Sequence, residues 1–187
     1  MLRQGLVQVY TGKTRQINFA YMGLSLRATG QNLRTFVMGI LPHPFIDLED
    51  RALSFLKPNV VVERLPFKST SSDEEIHGRD IDRINKSLGH IRDVVFGGAF
   101  DIIILEEINQ VVDMGIIPVG DIIELIKRKP HNVELVLTGR NARGEIIERA
   151  DLVTEMVEHK REEGSWEIDG GDQEGCVGVV TGDGKGK

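Results

Sequence analysis

Short apolar runs alternate with segments of helical spacing along most of the chain. Five runs are rich in β-branched residues and have the length of strands; they are Leu6–Tyr10, Thr35–Leu41, Asn59–Leu65, Phe100–Glu107 and Val133–Gly139. The segment DIIIL within the fourth run is apolar after its aspartate, which is typical of a strand covered on both faces. The segment Ala150–Val157 predicts one further strand.

The segments between these strands carry apolar residues on one helical face. One such face is formed by Ile81, Ile84, Leu88, Ile91 and Val95. A second helix is predicted from Val119 to Ile126, with Pro118 near its start and Pro130 after its end. Alternating strands and helices predict an α/β fold with a mostly parallel sheet, and such sheets bind ligands at the carboxyl ends of their strands.

Composition narrows the possible partners and compartment. The chain has 187 residues, a net charge of -6 and a single cysteine, Cys176. The negative charge argues against nucleic acid as a partner, and the lone cysteine excludes an internal disulfide, as fits a cytoplasmic protein. No apolar run approaches the roughly 20 residues that cross a bilayer, so we expect no membrane partner.

The chain ends in a partial repeat of its beginning. The segments GLVQVYTGKT, from Gly5, and GCVGVVTGDGK, from Gly175, both run from a glycine through an apolar strand to Thr-Gly, about one domain length apart. This predicts a tandem duplication: a domain at 1–160, a linker at 161–174 and the first strand and loop of a second copy at 175–187. Trp166, inside the polar linker, could instead dock on the domain.

Several segments resemble one known family, the P-loop type of ATP:corrinoid adenosyltransferase. TGDGKGK, at Thr181–Lys187, is similar to the start of its phosphate-binding loop, T-G-N-G-K-G-K-T-T. Arg27–Met38 resembles its corner between first helix and second strand, and FDIIILEEIN, at Phe100–Asn109, resembles its Walker B strand. The most specific match is Gly115–Met156, which follows the family's proline, T-G-R and A-D-x-V-x-E-M features in order.

The resemblance implies a fold, a reaction and partners. The fold would be a P-loop NTPase-like three-layer sandwich. A Co(I) corrinoid would attack the 5′ carbon of ATP and expel triphosphate, with Mg²⁺ and the P-loop holding the phosphates. A homodimer, or pairing of this domain with its own second copy, is implied as the assembly.

The first copy departs from the family at its phosphate-binding loop. The aligned candidate nucleotide-binding residues are those of a degenerate loop: Thr11, Gly12, Lys13, Thr14, Arg15 and Asn18. Ile17 stands where the family has its critical lysine, and Asn18 stands where it has the Mg²⁺-binding threonine, so ATP binding in this copy should be weak or absent. Alternatively, Lys13 and Thr14 form a shortened, shifted loop.

The second copy keeps the threonine, glycines and lysines of the family's phosphate-binding loop as far as the chain runs. Its candidate nucleotide-binding residues are Thr181, Gly182, Gly184, Lys185, Gly186 and Lys187. The family's aromatic F-T-W segment, which helps to hold the corrinoid, is reduced in the first copy to Phe67. The resemblance therefore places catalysis in the second copy and leaves corrinoid activation by the first in doubt.

Two further groups of residues are candidates for the nucleotide pocket. Glu106 and Glu107 match the Walker B pair, with glutamate in place of the family's aspartate, and predict either a Mg²⁺ site or a solvated acidic strand end. Thr138, Gly139 and Arg140 match T-G-R, and either shape the pocket or only turn the chain after a strand.

Two hypotheses of function follow, and a third is weaker. The first is ATP:corrinoid adenosyl transfer by a two-copy protein, with this copy impaired. The second is a pseudoenzyme domain that binds a partner, the sister domain or a corrinoid without catalysing transfer. The third, a P-loop-like protein with unrelated chemistry, is disfavoured by the match over Gly115–Met156.

Overall fold

The structure is a computed structural model that describes residues 2–13, 18–42, 46–66 and 78–160. Its strands are β1 (Val7–Gly12), β2 (Thr35–Gly39), β3 (Val60–Arg64), β4 (Ile102–Glu106), β5 (Glu134–Thr138) and β6 (Leu152–Met156). Its helices are α1 (Asn18–Thr29), α2 (Ile46–Ser54), α3 (Gly78–Phe96), α4 (Ile108–Asp113), α5 (Val119–Arg128) and α6 (Gly144–Ile147). The predicted linker and second-copy start lie outside the described residues.

The described strands form one sheet in the order β3-β2-β4-β5-β1-β6. Every strand pair in it is parallel, which confirms the predicted α/β fold. The predicted late strand is also confirmed, as β6. Strand β1 continues past the predicted Tyr10, because Thr11 and Gly12 remain in register with Glu155 and Met156 of β6.

Helices cover both faces of the sheet, and the sheet separates the hydrophobic core into two parts. The larger half packs α3, α4 and α5 against the side chains of Phe36, Met38, Ile103 and Leu105. The smaller half packs α1 against Val37, Ile102 and Ile104 from the other face. The central strands β2, β4 and β5 are buried at every position, so their carboxyl ends are held rigidly.

None of the helices within the described ranges is long and apolar enough to cross a membrane.

Candidate functional site

The adjacent strands β4, β5 and β1 bring three of the predicted groups to one edge of the sheet. Glu106 ends β4 and Glu107 follows it, Thr138 ends β5 and is followed by Gly139 and Arg140, and Thr11 and Gly12 end β1. Thr11 and Gly12 are buried, and Lys13 after them is exposed. Thr14 and Arg15 lie outside the described residues, and α1 begins at Asn18. This edge is where a parallel α/β sheet binds its ligands.

Thr11 and Asn109 tie the strand ends to each other. The Thr11 hydroxyl oxygen accepts a hydrogen bond of 3.1 Å from the backbone N–H of Ala142. The fully buried Asn109 directs its side-chain Nδ2 at the carbonyl oxygens of Tyr10, Leu137 and Gly139, at 3.3 to 3.4 Å. Thr11 therefore has a structural partner within the domain.

The segment Thr138–Arg140 packs directly on the Walker B-like pair. The backbone N–H of Glu107 donates to the Thr138 hydroxyl at 3.3 Å. A Cβ atom on Gly139, whose φ is 120°, would lie 3.0 Å from the Cα of Glu107, so only glycine allows this approach. Arg140 donates from Nε to the side chain of Gln110 at 3.2 Å. These contacts give the segment a packing role, beside the pocket-shaping or chain-turning role that the sequence predicts.

The Glu106 carboxylate lies in a buried polar cluster on the α1 and α2 side of the sheet. Its Oε2 forms an ion pair with Nη1 of Arg64, and its Oε1 accepts a hydrogen bond of 3.2 Å from the Tyr21 hydroxyl. The Tyr21 hydroxyl also lies 2.6 Å from Oε2 of Glu49. Arg64 continues to Asp50, with Nη2 at 2.6 Å and Nε at 3.0 Å from the same carboxylate oxygen. Glu106 is thus held by two groups of its own chain.

Sequence reasoning did not identify Tyr21 and Arg64 as the partners of Glu106, nor Glu49 and Asp50 as the carboxylates that these two partners contact. The only available signal was a pair of strand ends, because the apolar runs VVVER and TFVMG finish on Arg64 and Gly39. When a charged residue at the end of one strand lies beside a glycine at the end of the next strand, its side chain can cross over that glycine. That signal acquires meaning only when the order of the strands is known.

The cluster changes the protonation equilibria of its members. Burial raises the pKa of Tyr21, and the negative charge of Glu49 raises it further, while Arg64 acts in the opposite direction. Burial acts to lower the pKa of Arg64, but its hydrogen bond to Asp50 and its interaction with Tyr21 outweigh this and raise the pKa. The folded state therefore holds the neutral phenol and the charged guanidinium.

We expect this cluster to make the protein sensitive to alkali. The unfolded chain loses the Tyr21 proton near pH 10, whereas the folded chain retains it, so the free energy of unfolding falls as pH rises above about 10. The slope due to one tyrosine reaches about 1.4 kcal/mol per pH unit. Urea titrations at several pH values above about 10 should show a steeper fall in the free energy of unfolding for the wild type than for Tyr21→Phe.

The second tyrosine of the chain provides the control. Tyr10 is only partly buried, and Tyr10→Phe should therefore keep most of the alkaline slope of the wild type. Parallel pH dependences in the wild type and Tyr21→Phe would contradict the prediction.

Comparison with known proteins identifies the family. Residues 3–167 match the family model of the ATP:corrinoid adenosyltransferase BtuR/CobO/CobP. The chain belongs to the ATP:corrinoid adenosyltransferase family. The match covers the three strand ends described above and the segment Gly115–Met156, on which the resemblance chiefly depended.

Individual relatives of this adenosyltransferase family member are distant. It is 23% identical over 157 residues to a corrinoid adenosyltransferase of Escherichia coli K12, covering 82% of this chain and 76% of that protein. It is 27% identical over 154 residues to one of Sinorhizobium, covering 82% and 72%. An uncharacterized protein of Nostoc sp. is 27% identical over 164 aligned residues, and the match covers 81% of this chain but only 43% of that protein.

A solved structure supports the fold alone. A KaiC-like protein of Pyrococcus horikoshii OT3 superposes with a TM-score of 0.55 at 15% sequence identity, covering 86% of this chain and 76% of that one. The predictions for Phe67, Trp166 and residues 181–187 lie outside the described residues.

Proposed function

We propose that this domain is part of a protein that transfers the 5′-deoxyadenosyl group of ATP to a Co(I) corrinoid, and that its own ATP site is impaired. Family membership supports the reaction, since the named relatives in E. coli and Sinorhizobium are corrinoid adenosyltransferases. ATP and a corrinoid are accordingly the proposed substrates. The impairment is specific to the loop that follows β1.

The observation that carries the impairment is the residue pair Ile17–Asn18. A phosphate-binding loop needs a lysine against the β- and γ-phosphates and a hydroxyl beside Mg²⁺. Ile17 supplies no charge, and Asn18, the first residue of α1, supplies an amide where the family has threonine. Loss of a charge-assisted contact to phosphate removes one of the strongest terms in nucleotide binding.

Calorimetry with Mg-ATP tests the impairment. We expect the wild type to bind with a Kd of about 1 mM or weaker, which corresponds to only about 4 kcal/mol of binding free energy. The double variant Ile17→Lys/Asn18→Thr restores both family side chains. It should bind Mg-ATP at least about tenfold more tightly, a gain of about 1.4 kcal/mol.

Lys13→Ala is the matched control, because it separates impairment from a shifted loop. If the loop is impaired, removal of this exposed lysine leaves the weak wild-type affinity nearly unchanged. Micromolar binding by the wild type that Lys13→Ala abolishes would instead show that Lys13 and Thr14 form a working loop, and the proposal would be wrong.

A non-catalytic domain that binds a corrinoid or a partner is the second candidate function. The same pair, Ile17–Asn18, favours it, together with the internal partners that already engage Glu106. Adenosylation assays with a reduced corrinoid and the double variant distinguish the two. Recovery of adenosyl transfer in the double variant favours an enzymatic function. Corrinoid binding by that variant without adenosyl transfer favours a non-catalytic function.

The tandem arrangement is part of the proposal. The Nostoc relative is more than twice as long as the segment that it shares with this chain, which is the length relation expected of a two-copy protein. We propose that a loop beginning at Thr181 serves as the intact ATP site, and that the two copies pair as family members do in a homodimer. Sequencing the gene beyond the codon for Lys187 tests this directly.

A further inference from the structure

The family resemblance implies a Mg²⁺ ion bound to Glu106, the carboxylate that ends β4. The contacts of Glu106 decide whether such an ion has room and ligands there. Magnesium requires about six oxygen ligands in octahedral geometry and usually retains several waters. Glu106 has no exposed surface, and its two oxygens contact Arg64 and Tyr21. No group of three or more His, Cys, Asp or Glu side chains in the described ranges is arranged to hold a metal. The site does not fit the ion.

The register of three strands explains how Arg64 reaches Glu106. Gly39 of β2 is the partner of Arg64 in β3 on one side and of Glu106 in β4 on the other. Residues in register on parallel strands project from the same face, so Arg64 and Glu106 point the same way with no side chain between them. The arginine therefore crosses β2 over a glycine.

The space above Gly39 is filled by the arginine itself. A Cβ atom at Gly39 would lie 2.3 Å from Nη1 and 2.4 Å from Cδ of Arg64. The ion pair between Arg64 and Glu106 therefore needs a glycine at position 39, because any side chain there would overlap with the arginine. Arginine suits this position because its planar fork serves several carboxylates at once, here Glu106 and Asp50, with Glu49 at 3.8 Å.

The geometry points to Arg64 as a resident cation that occupies the place on the Glu106 carboxylate where a divalent metal ion would bind. The domain supplies this positive charge from β3. Glu106 acts as a structural anchor for α1 through the Tyr21 hydroxyl, which also contacts Glu49 of α2. A ligand that binds at this edge of the sheet does so without a metal ion on Glu106. This inference is separate from the proposed function, because its test uses no ATP and no corrinoid.

Titration with Mn²⁺, followed by the electron paramagnetic resonance of the free ion, tests the inference. Mn²⁺ prefers the same carboxylate and water ligands as Mg²⁺. We expect the wild type to have no Mn²⁺ site that depends on Glu106. Arg64→Ala, which leaves room for an ion and its waters, should bind Mn²⁺ at least about tenfold more tightly than the wild type, and Glu106→Gln in that background should remove the gain.

Gly39→Ala serves as a second variant in case Arg64→Ala does not fold. Its added methyl group displaces the Arg64 side chain from Cδ outward without removing any charge, and it should also create a Mn²⁺ site that Glu106→Gln abolishes. A Mn²⁺ site in the wild type that disappears in Glu106→Gln would overturn the inference. Folded Arg64 and Gly39 variants that bind Mn²⁺ no better than the wild type would overturn it as well.

Discussion

Arg64→Ala is expected to lower the free energy of unfolding by about 3–5 kcal/mol, because it leaves a buried carboxylate without its cation. Glu106 and Glu49 are almost completely buried, and the Arg64 side chain is only 15% exposed, so solvent cannot replace the lost charge. Urea denaturation followed by circular dichroism measures the loss. For a domain whose total stability is about 5–15 kcal/mol, a loss of this size is large.

The double variant Arg64→Met/Glu106→Leu is the control for this prediction. Replacing both members of a buried ion pair by apolar side chains is often neutral, and here it removes the Glu106 carboxylate that Arg64→Ala leaves without its cation. The double variant should therefore be more stable than Arg64→Ala alone. A loss below about 1 kcal/mol for Arg64→Ala would show that the ion pair contributes no more than an exposed one.

Gly5→Ala should destabilise the domain by about 3 kcal/mol or more, through overpacking of backbone against backbone. The added Cβ would lie 2.1 Å from the carbonyl carbon of Val133 and 2.4 Å from the nitrogen of Glu134. The two segments cannot separate cheaply, because Lys129 donates from Nζ to the carbonyl oxygens of both Gly5 and Val133, at 2.7 and 2.9 Å. Thermal and urea denaturation give the loss.

Gly89→Ala is the matched substitution in open space. Gly89 is exposed in the middle of α3, and a Cβ there would meet nothing within 4 Å. Alanine should stabilise the helix by about 0.5–1 kcal/mol. If Gly5→Ala and Gly89→Ala had similar effects, the contact between the start of β1 and the entry to β5 would not be as tight as described.

The strands and major helices could be predicted from the sequence because their signals are local. The run at Ile102–Leu105 is apolar and β-branched, and the face formed by Ile84, Leu88 and Ile91 repeats with helical spacing. Both signals depend on neighbours within a few residues. The order of the strands does not, since pairing of β1 with β5 and β6 joins segments more than 100 residues apart in the chain.

Residues of the candidate site were predicted only where a single strand end could be recognised from its own residues. The pair Glu106–Glu107 could be recognised by its position after an apolar strand, and Thr138–Arg140 by its order after α5. The partners of Glu106 could not, because Arg64 reaches it only when β2 lies between β3 and β4 and carries a glycine at that register. The meaning of Glu106 therefore depends on tertiary placement, which no local pattern encodes.

The amide of Asn109 has a mechanical consequence for the whole strand edge. One side chain reaches the backbone before the loop at Gly12 and the backbone on both sides of Thr138. Because three carbonyl groups share this one nitrogen, the end of β1 and the turn at Gly139 are braced against each other by a single side chain.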